Sequence, residues 1–307
     1  MKKIFIKKIW KYLLIVCFAV VSGSILVPGQ VKAAGNAKVT MLKKGRTYSY
    51  DLNGDKKKEK IKITYTVKNK YKSNCRRKVN FYVNGKLIYI KQLYGEPDFP
   101  VKVRLADLNT SDKYKEILVQ KYDSSSTTSD FFALRYMGKK KVKVLQGMKN
   151  FKWHAGSNTK QISCYRFDFK SNTGKNEFYI DADTPYSNSY FGSYYVKIPI
   201  VLGNGKFAVK QLASYEISNR LKWSQHEYEL KRGMTLYKTD SMQSGEDTYL
   251  TPGTKFKAKE IKPVNVNDNY GALYVKVVTL SGQTGWIYFP EYSRYNSGYL
   301  KDVPEWG

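Results

Sequence analysis

The chain has 307 residues, with 54 lysines and arginines against 25 aspartates and glutamates, a formal net charge of +29, and 27 tyrosines. A charge of that size seeks polyanions, but the basic residues run through every segment without a helical recognition element or compact RNA-binding motif, which argues against nucleic acid. The two histidines, His154 and His226, and the few cysteines stand in no zinc-motif spacing, which argues against zinc chemistry.

Residues Met1 to Lys11 carry Lys2, Lys3, Lys7, Lys8 and Lys11, and the run from Tyr12 to Val27 is uncharged and apolar apart from Ser22 and Ser24. This is the layout of a secretory signal helix. Val31-Lys32-Ala33 sets short residues where a signal peptidase reads, so a signal peptide of residues 1–33 is expected, with cleavage after Ala34 as the next choice. The apolar run is shorter than the ~20 residues that span a bilayer comfortably, so no stable membrane span is expected after cleavage. An uncleaved anchor is the rival reading. Cys17 does not make a lipoprotein signal, because Val16 stands where a small residue is needed. Six of the 54 basic residues fall in the leader, which leaves 48 against 25 acids, or about +23 for the mature chain. For an exported protein the matching polyanions are wall teichoic acids, anionic lipid and acidic glycans, and the alternative is charge that serves only solubility.

Asp51-Leu-Asn53-Gly54-Asp55-Lys-Lys57-Lys-Glu59 places oxygen-bearing side chains at alternating positions just before an apolar strand, Ile61-Lys-Ile63-Thr-Tyr65-Thr-Val67. Hard cations such as Ca2+ take six to eight oxygen ligands, and a tight loop with a ligand at every second residue can wrap them around one ion. Short β-branched and aromatic-rich runs follow: Lys78 to Val83, Lys86 to Ile90, Val101 to Leu105, Glu116 to Tyr122, Phe131 to Tyr136 and Val142 to Leu145. Asn84-Gly85 between the first two is a tight hairpin signal, since both residues tolerate positive φ. Helical periodicity is confined to the leader, so the mature chain reads as all-β.

The acidic loop recurs. Asp107-Leu-Asn109-Thr-Ser-Asp112-Lys-Tyr-Lys-Glu116 leads into Ile117-Leu-Val119, and Asp168-Phe-Lys-Ser-Asn172-Thr-Gly174-Lys-Asn176-Glu177 leads into Phe178-Tyr-Ile180. Such a period suits a repeated four-stranded unit of the propeller-blade kind. These residues resemble the FG-GAP and VCBS-type repeats of extracellular proteins, whose calcium loop reads D-x-[DN]-x-[DN] with a carboxylate at the ninth position. The resemblance implies Asp51, Asn53, Asp55 and Glu59 as side-chain ligands, with Lys57 giving its backbone carbonyl. It extends to Asp107, Asn109, Asp112 and Glu116 in the second loop, which has one extra residue. The third loop has Lys170 at a ligand position, and Lys56 stands where the family prefers glycine. Calcium is therefore expected at the first loop above the others, against the alternative of an ion-free Asx turn. Three units between residue 38 and about 220 leave open a partial propeller, a sandwich-like stack or a ring completed by another copy.

Toward the C-terminus, Leu230 to Tyr237, Leu250-Thr-Pro252-Gly253 to Ala258, Leu273 to Val277 and Ser281-Gly282-Gln-Thr-Gly285-Trp286-Ile287 resemble a bacterial SH3-like module. The expected organisation is a repeat domain over 34–225, a small SH3-like barrel over 226–292 and a tail over 293–307. Trp286 is expected to plug that barrel rather than face a ligand. Tyr237, Tyr249, Tyr270 and Tyr288 fit either role.

Cys75 and Cys164 could form one disulfide or be small buried residues. Cys164 sits in a strand pattern rather than at a helix start, where a thiolate would be stabilised. There is no nucleophile elbow, phosphate loop or dinucleotide fingerprint. The sequence thus points to a secreted, non-catalytic binding protein of a Gram-positive-type envelope, with teichoic acid, peptidoglycan or an anionic glycan as partner. The rivals are a wall-active hydrolase with its site within 140–220, and a membrane-anchored regulatory or structural ectodomain.

Overall fold

The computed structural model describes residues 37–68, 76–94, 100–122, 128–147, 152–154, 161–163, 167–183, 195–219, 226–242, 247–267, 270–290, 298–301 and 303. The expected signal segment, Cys17, Cys75 and Cys164 lie outside them. The regular elements are all strands, as the sequence pattern implies. Among the described residues no helix is long and apolar enough to cross a membrane.

After a short β1 (Val39–Met41), a first antiparallel meander runs through β2 (Thr47–Tyr50), β3 (Glu59–Lys68), β4 (Arg76–Val83) and β5 (Lys86–Tyr94). Asn84 and Gly85 turn β4 into β5 with φ of 50° and 75°, the left-handed pair that a two-residue hairpin requires. The second meander is β6 (Val101–Ala106), β7 (Glu116–Tyr122), β8 (Thr128–Tyr136) and β9 (Val142–Gln146). A small hairpin, β10 (Lys152–His154) with β11 (Gln161–Ser163), precedes the third, β12 (Phe167–Asn172), β13 (Glu177–Asp183), β14 (Tyr195–Gly203) and β15 (Lys206–Val209). In the first two meanders the loop singled out from the sequence connects the first strand to the second.

The first meander is a sheet of its own, whereas β1 and the other two meanders form a nine-stranded, nearly closed sheet through the β1–β6 pair and a parallel bridge, Lys206 to Gln146, between β15 and β9. Successive side chains of a strand point to opposite faces, and β7 is buried along its whole length because both of its faces are covered. Ile117 and Val119 pack with Ile61, Val79 and Phe81 of the first meander. Leu118 instead joins Phe131, Phe167, Phe178 and Phe207 inside the curled sheet. Phe131 is the centre of that inner cluster, with ring centroids 5.6 Å from Phe167, 6.0 Å from Phe178 and 5.7 Å from Phe207. Across the gap between the sheet's ends, Gln120 donates to the Phe167 carbonyl at 2.7 Å.

The remaining strands are β16 (Tyr215–Glu216), β17 (Glu227–Leu230), β18 (Met234–Tyr237), β19 (Thr248–Leu250), β20 (Lys255–Asn267), β21 (Tyr270–Thr279), β22 (Thr284–Phe289) and β23 (Leu300–Lys301). They form an eight-stranded half-barrel in the order β19-β18-β22-β21-β20-β17-β23, with β16 paired separately to β20. The turns fall where expected, with Gly253 at φ 85° and Gly282 at φ 89°. Leu300, in the expected tail, is buried and brings β23 onto β17. One apolar cluster runs from Phe131 and Phe178 through Tyr215 to Phe256, Ile287 and Leu300, so the last two sheets share a core.

Candidate functional site

The first loop leaves β2 at Tyr50 and enters β3 at Glu59. Leu52 is fully buried under it and anchors the turn to the core. Asp51 Oδ1 accepts the amides of Gly54 (2.7 Å) and Asn53 (3.3 Å), and its Oδ2 accepts that of Lys56 (2.9 Å). Asn53 Oδ1 accepts the Asp55 amide and Asp55 Oδ1 accepts the Lys57 amide, at 2.9 and 2.8 Å. Buried Glu59 closes the circle, accepting the Leu52 amide at 2.8 Å and the Asn53 side-chain amide at 3.2 Å. Gly54 and Lys56 are both left-handed, with φ of 70° and 66°. Lys56 thus takes a conformation natural to the glycine that the resemblance prefers there.

These acids carry opposite shifts. Burial penalises the Asp51 anion, but four backbone amides, Gly54 first, outweigh it and hold the carboxyl below its ordinary value. Burial pushes Glu59 up, the Leu52 amide works against that, and the Asp55 and Asp51 charges add to the rise. Among the described residues no Lys or Arg side chain makes an ion pair within 4.0 Å with the Asp51, Asp55 or Glu59 carboxylate, although Lys57, Lys58 and Lys113 line the same pocket.

The second loop has the same frame with a different charge balance. Leu108 is buried like Leu52, and its amide donates to Glu116 Oε2 at 3.2 Å. Asn109 Oδ1 accepts the Ser111 amide and Asp112 Oδ1 the Tyr114 amide, at 3.0 and 2.7 Å. Arg135, opposite Glu116 on β8, donates from Nε to Glu116 Oε1 at 2.7 Å and reaches Asp112 Oδ2 at 3.2 Å. Lys115 Nζ sits 2.9 Å from Asp107 Oδ2. Internal cations therefore neutralise this loop. Glu116 is nevertheless shifted upward, because burial outweighs Arg135 and the Leu108 amide.

The third stretch departs from the sequence reading. Asp168, Lys170 and Asn172 belong to β12, because Phe167 and Phe169 alternate onto buried neighbours and carry the strand to the end of that run. Only the turn of residues 173–176 remains before Glu177. Asp168 lies instead in a network with Lys102 (3.0 Å), Arg104 (3.5 Å) and Tyr122, which joins β6, β7 and β12. The loops are nonetheless linked in series. The Leu52 carbonyl accepts the Lys115 amide at 3.1 Å, and the equivalent Leu108 carbonyl accepts the Asn176 amide at 2.7 Å.

Oxygen donors of the first loop fit a hard cation in type and spacing, and the lack of a counter-cation among the described residues distinguishes them from the second set. Among the described residues no three His, Cys, Asp or Glu side chains already converge as a metal cluster. Bound calcium would supply the positive charge that Asp51, Asp55 and Glu59 lack. The half-barrel carries the other expected groups. Trp286 is 9% exposed, with Lys276 Nζ 5.7 Å from its ring centroid. Tyr274 gathers Tyr237 and Tyr288 at 6.4 and 5.0 Å, while Tyr249 is exposed. The Tyr270 side chain lies outside the described residues. His226 packs edge-on against Tyr228 at 5.0 Å. Comparison with family models, with curated proteins and with solved structures gave no match.

Proposed function

We propose that this chain is a secreted, envelope-associated binding protein without a catalytic role, in which FG-GAP/VCBS-like units carry one calcium loop and an SH3-like half-barrel follows. Calcium is assigned to Asp51, Asn53, Asp55 and Glu59, with the Lys57 carbonyl, and not to the second loop. The contrast between the two loops carries this reading. Glu116 and Asp112 have Arg135, and Asp107 has Lys115. Among the described residues the first loop's three carboxylates have no such partner. The three four-stranded meanders, the first two with an acidic loop after the first strand and the third with a short turn there, support the repeat reading. The β20–β21–β22 meander, with Trp286 buried on its last strand, supports the SH3-like one. The excess of positive charge makes teichoic acid or another anionic wall polymer the expected partner.

The test pairs thermal unfolding with sedimentation on purified walls. A site that binds calcium only in the folded state stabilises by about 3 kcal/mol at a hundredfold excess over Kd. Millimolar calcium should therefore raise the unfolding midpoint, and the protein should sediment with teichoic-acid-bearing walls. Identical midpoints in calcium and in chelator overturn the metal assignment. Equal recovery with walls stripped of teichoic acid overturns the polymer assignment.

A further inference from the structure

The turn between β8 and β9 comes close to the first loop, where a Cβ placed on Gly138 would lie 3.5 Å from Asn53 Nδ2. Loop and turn border a pocket of about 500 Å³ that includes Asn53, Asp55 and Glu59. Lys57, Lys58, Lys113, Lys139 and Lys141 also line it. Some lysines elsewhere rest on carboxylates, as Lys102 does on Asp168, Lys170 on Asp181 and Lys262 on Asp240. Among the described residues, none of the five pocket lysines has an ion pair. Lys113 Nζ lies 5.3 Å from the Tyr114 ring centroid. Unpaired ammonium groups gathered around one opening repel each other and are relieved by a shared anion. Lysine grips phosphate oxygens as a point charge, without the planar match that arginine offers a carboxylate. Asp55 and Glu59 repel an anion from the same pocket. A cation held by them would cancel that repulsion, so cation and anion should each strengthen the other's binding.

We propose that this pocket holds a phosphodiester group of an anionic polymer, gripped by the five lysines and bound more tightly when calcium occupies the first loop. This deepens the function proposed above and rests on its calcium assignment. The test is calorimetric titration of the full-length protein with a short synthetic glycerol phosphate oligomer, in calcium and in chelator, beside a separate calcium titration. The variant K139Q/K141Q removes two charges from the exposed turn, and K206Q/K231Q removes two exposed charges elsewhere. In calcium the first should bind the oligomer about tenfold more weakly and the second within about twofold of the parent, the scale of two exposed charge contacts. Chelator should weaken the parent several-fold. Equal losses in the two variants would show diffuse attraction and overturn the pocket. Calcium binding with no effect on the oligomer overturns the coupling and leaves the calcium assignment standing. Absence of calcium binding overturns both. Equal affinity for polyglutamate overturns the phosphodiester assignment.

Discussion

Glu116 and Arg135 face each other on adjacent strands, and Arg135 Nε donates to the fully buried Glu116 carboxylate at 2.7 Å. Removing one member of a buried pair leaves the other as an uncompensated charge, whereas replacing both with apolar residues costs far less. Arg135→Met should therefore destabilise the protein by about 3 kcal/mol, and the double change Arg135→Met with Glu116→Leu by about 1 kcal/mol or less. Urea unfolding of the three proteins in chelator measures both. Equal destabilisation by the single and double changes would show that the pair itself contributes nothing.

Lys56 holds a left-handed conformation at φ 66° while its amide donates to Asp51 Oδ2. A side chain costs about 1–2 kcal/mol in that region, and part of the gain from glycine returns as unfolded-chain entropy. Lys56→Gly should stabilise the protein by about 0.5–1 kcal/mol in chelator. It should also raise calcium affinity, because a positive charge leaves the loop. Unfolding and calcium titration read the two effects separately, and a destabilised variant with unchanged affinity would contradict the account.

The strands were largely legible because alternation and turn chemistry are local. Glu116 to Tyr122 reads as a strand in sequence and forms β7 over those residues, and Asn84-Gly85 makes the expected turn. Long-range facts were not legible. Arg135 lies nineteen residues from Glu116, and only the β7–β8 register brings them together. Gln120 is fully buried and donates to Thr128 and to the Phe167 carbonyl, partners that only the curled sheet brings to it. Asp168 resembled the start of a loop by spacing alone, and the Phe169 ring stacked on Phe178 at 5.2 Å shows the strand running through it. For the first loop the sequence supplied the donors. That no described Lys or Arg side chain pairs with them is a property of three-dimensional charge placement.

The opposite shifts of Asp51 and Glu59 give the proposed calcium loop a defined response to pH. Asp51 is lowered from 3.8, so its stabilising contribution is complete above that value and is lost as pH falls through the folded value. Glu59 is raised above 4.5, so the folded state without metal favours its protonated form, an advantage present below 4.5 and lost as pH rises through the folded value. Calcium needs both groups ionised, and proton competition therefore begins at Glu59. Calcium affinity should fall as pH descends through the raised folded value of Glu59, with proton release on binding in that window. Glu59→Gln should weaken binding and remove that proton release, while Asp55→Asn should weaken binding and keep the release but move it to lower pH, because the Asp55 charge adds to the rise of Glu59. Calorimetric titration in two buffers of different ionisation enthalpy counts the protons. An affinity that declines only below 3.8, the ordinary value for Asp51, would exclude Glu59 from the site.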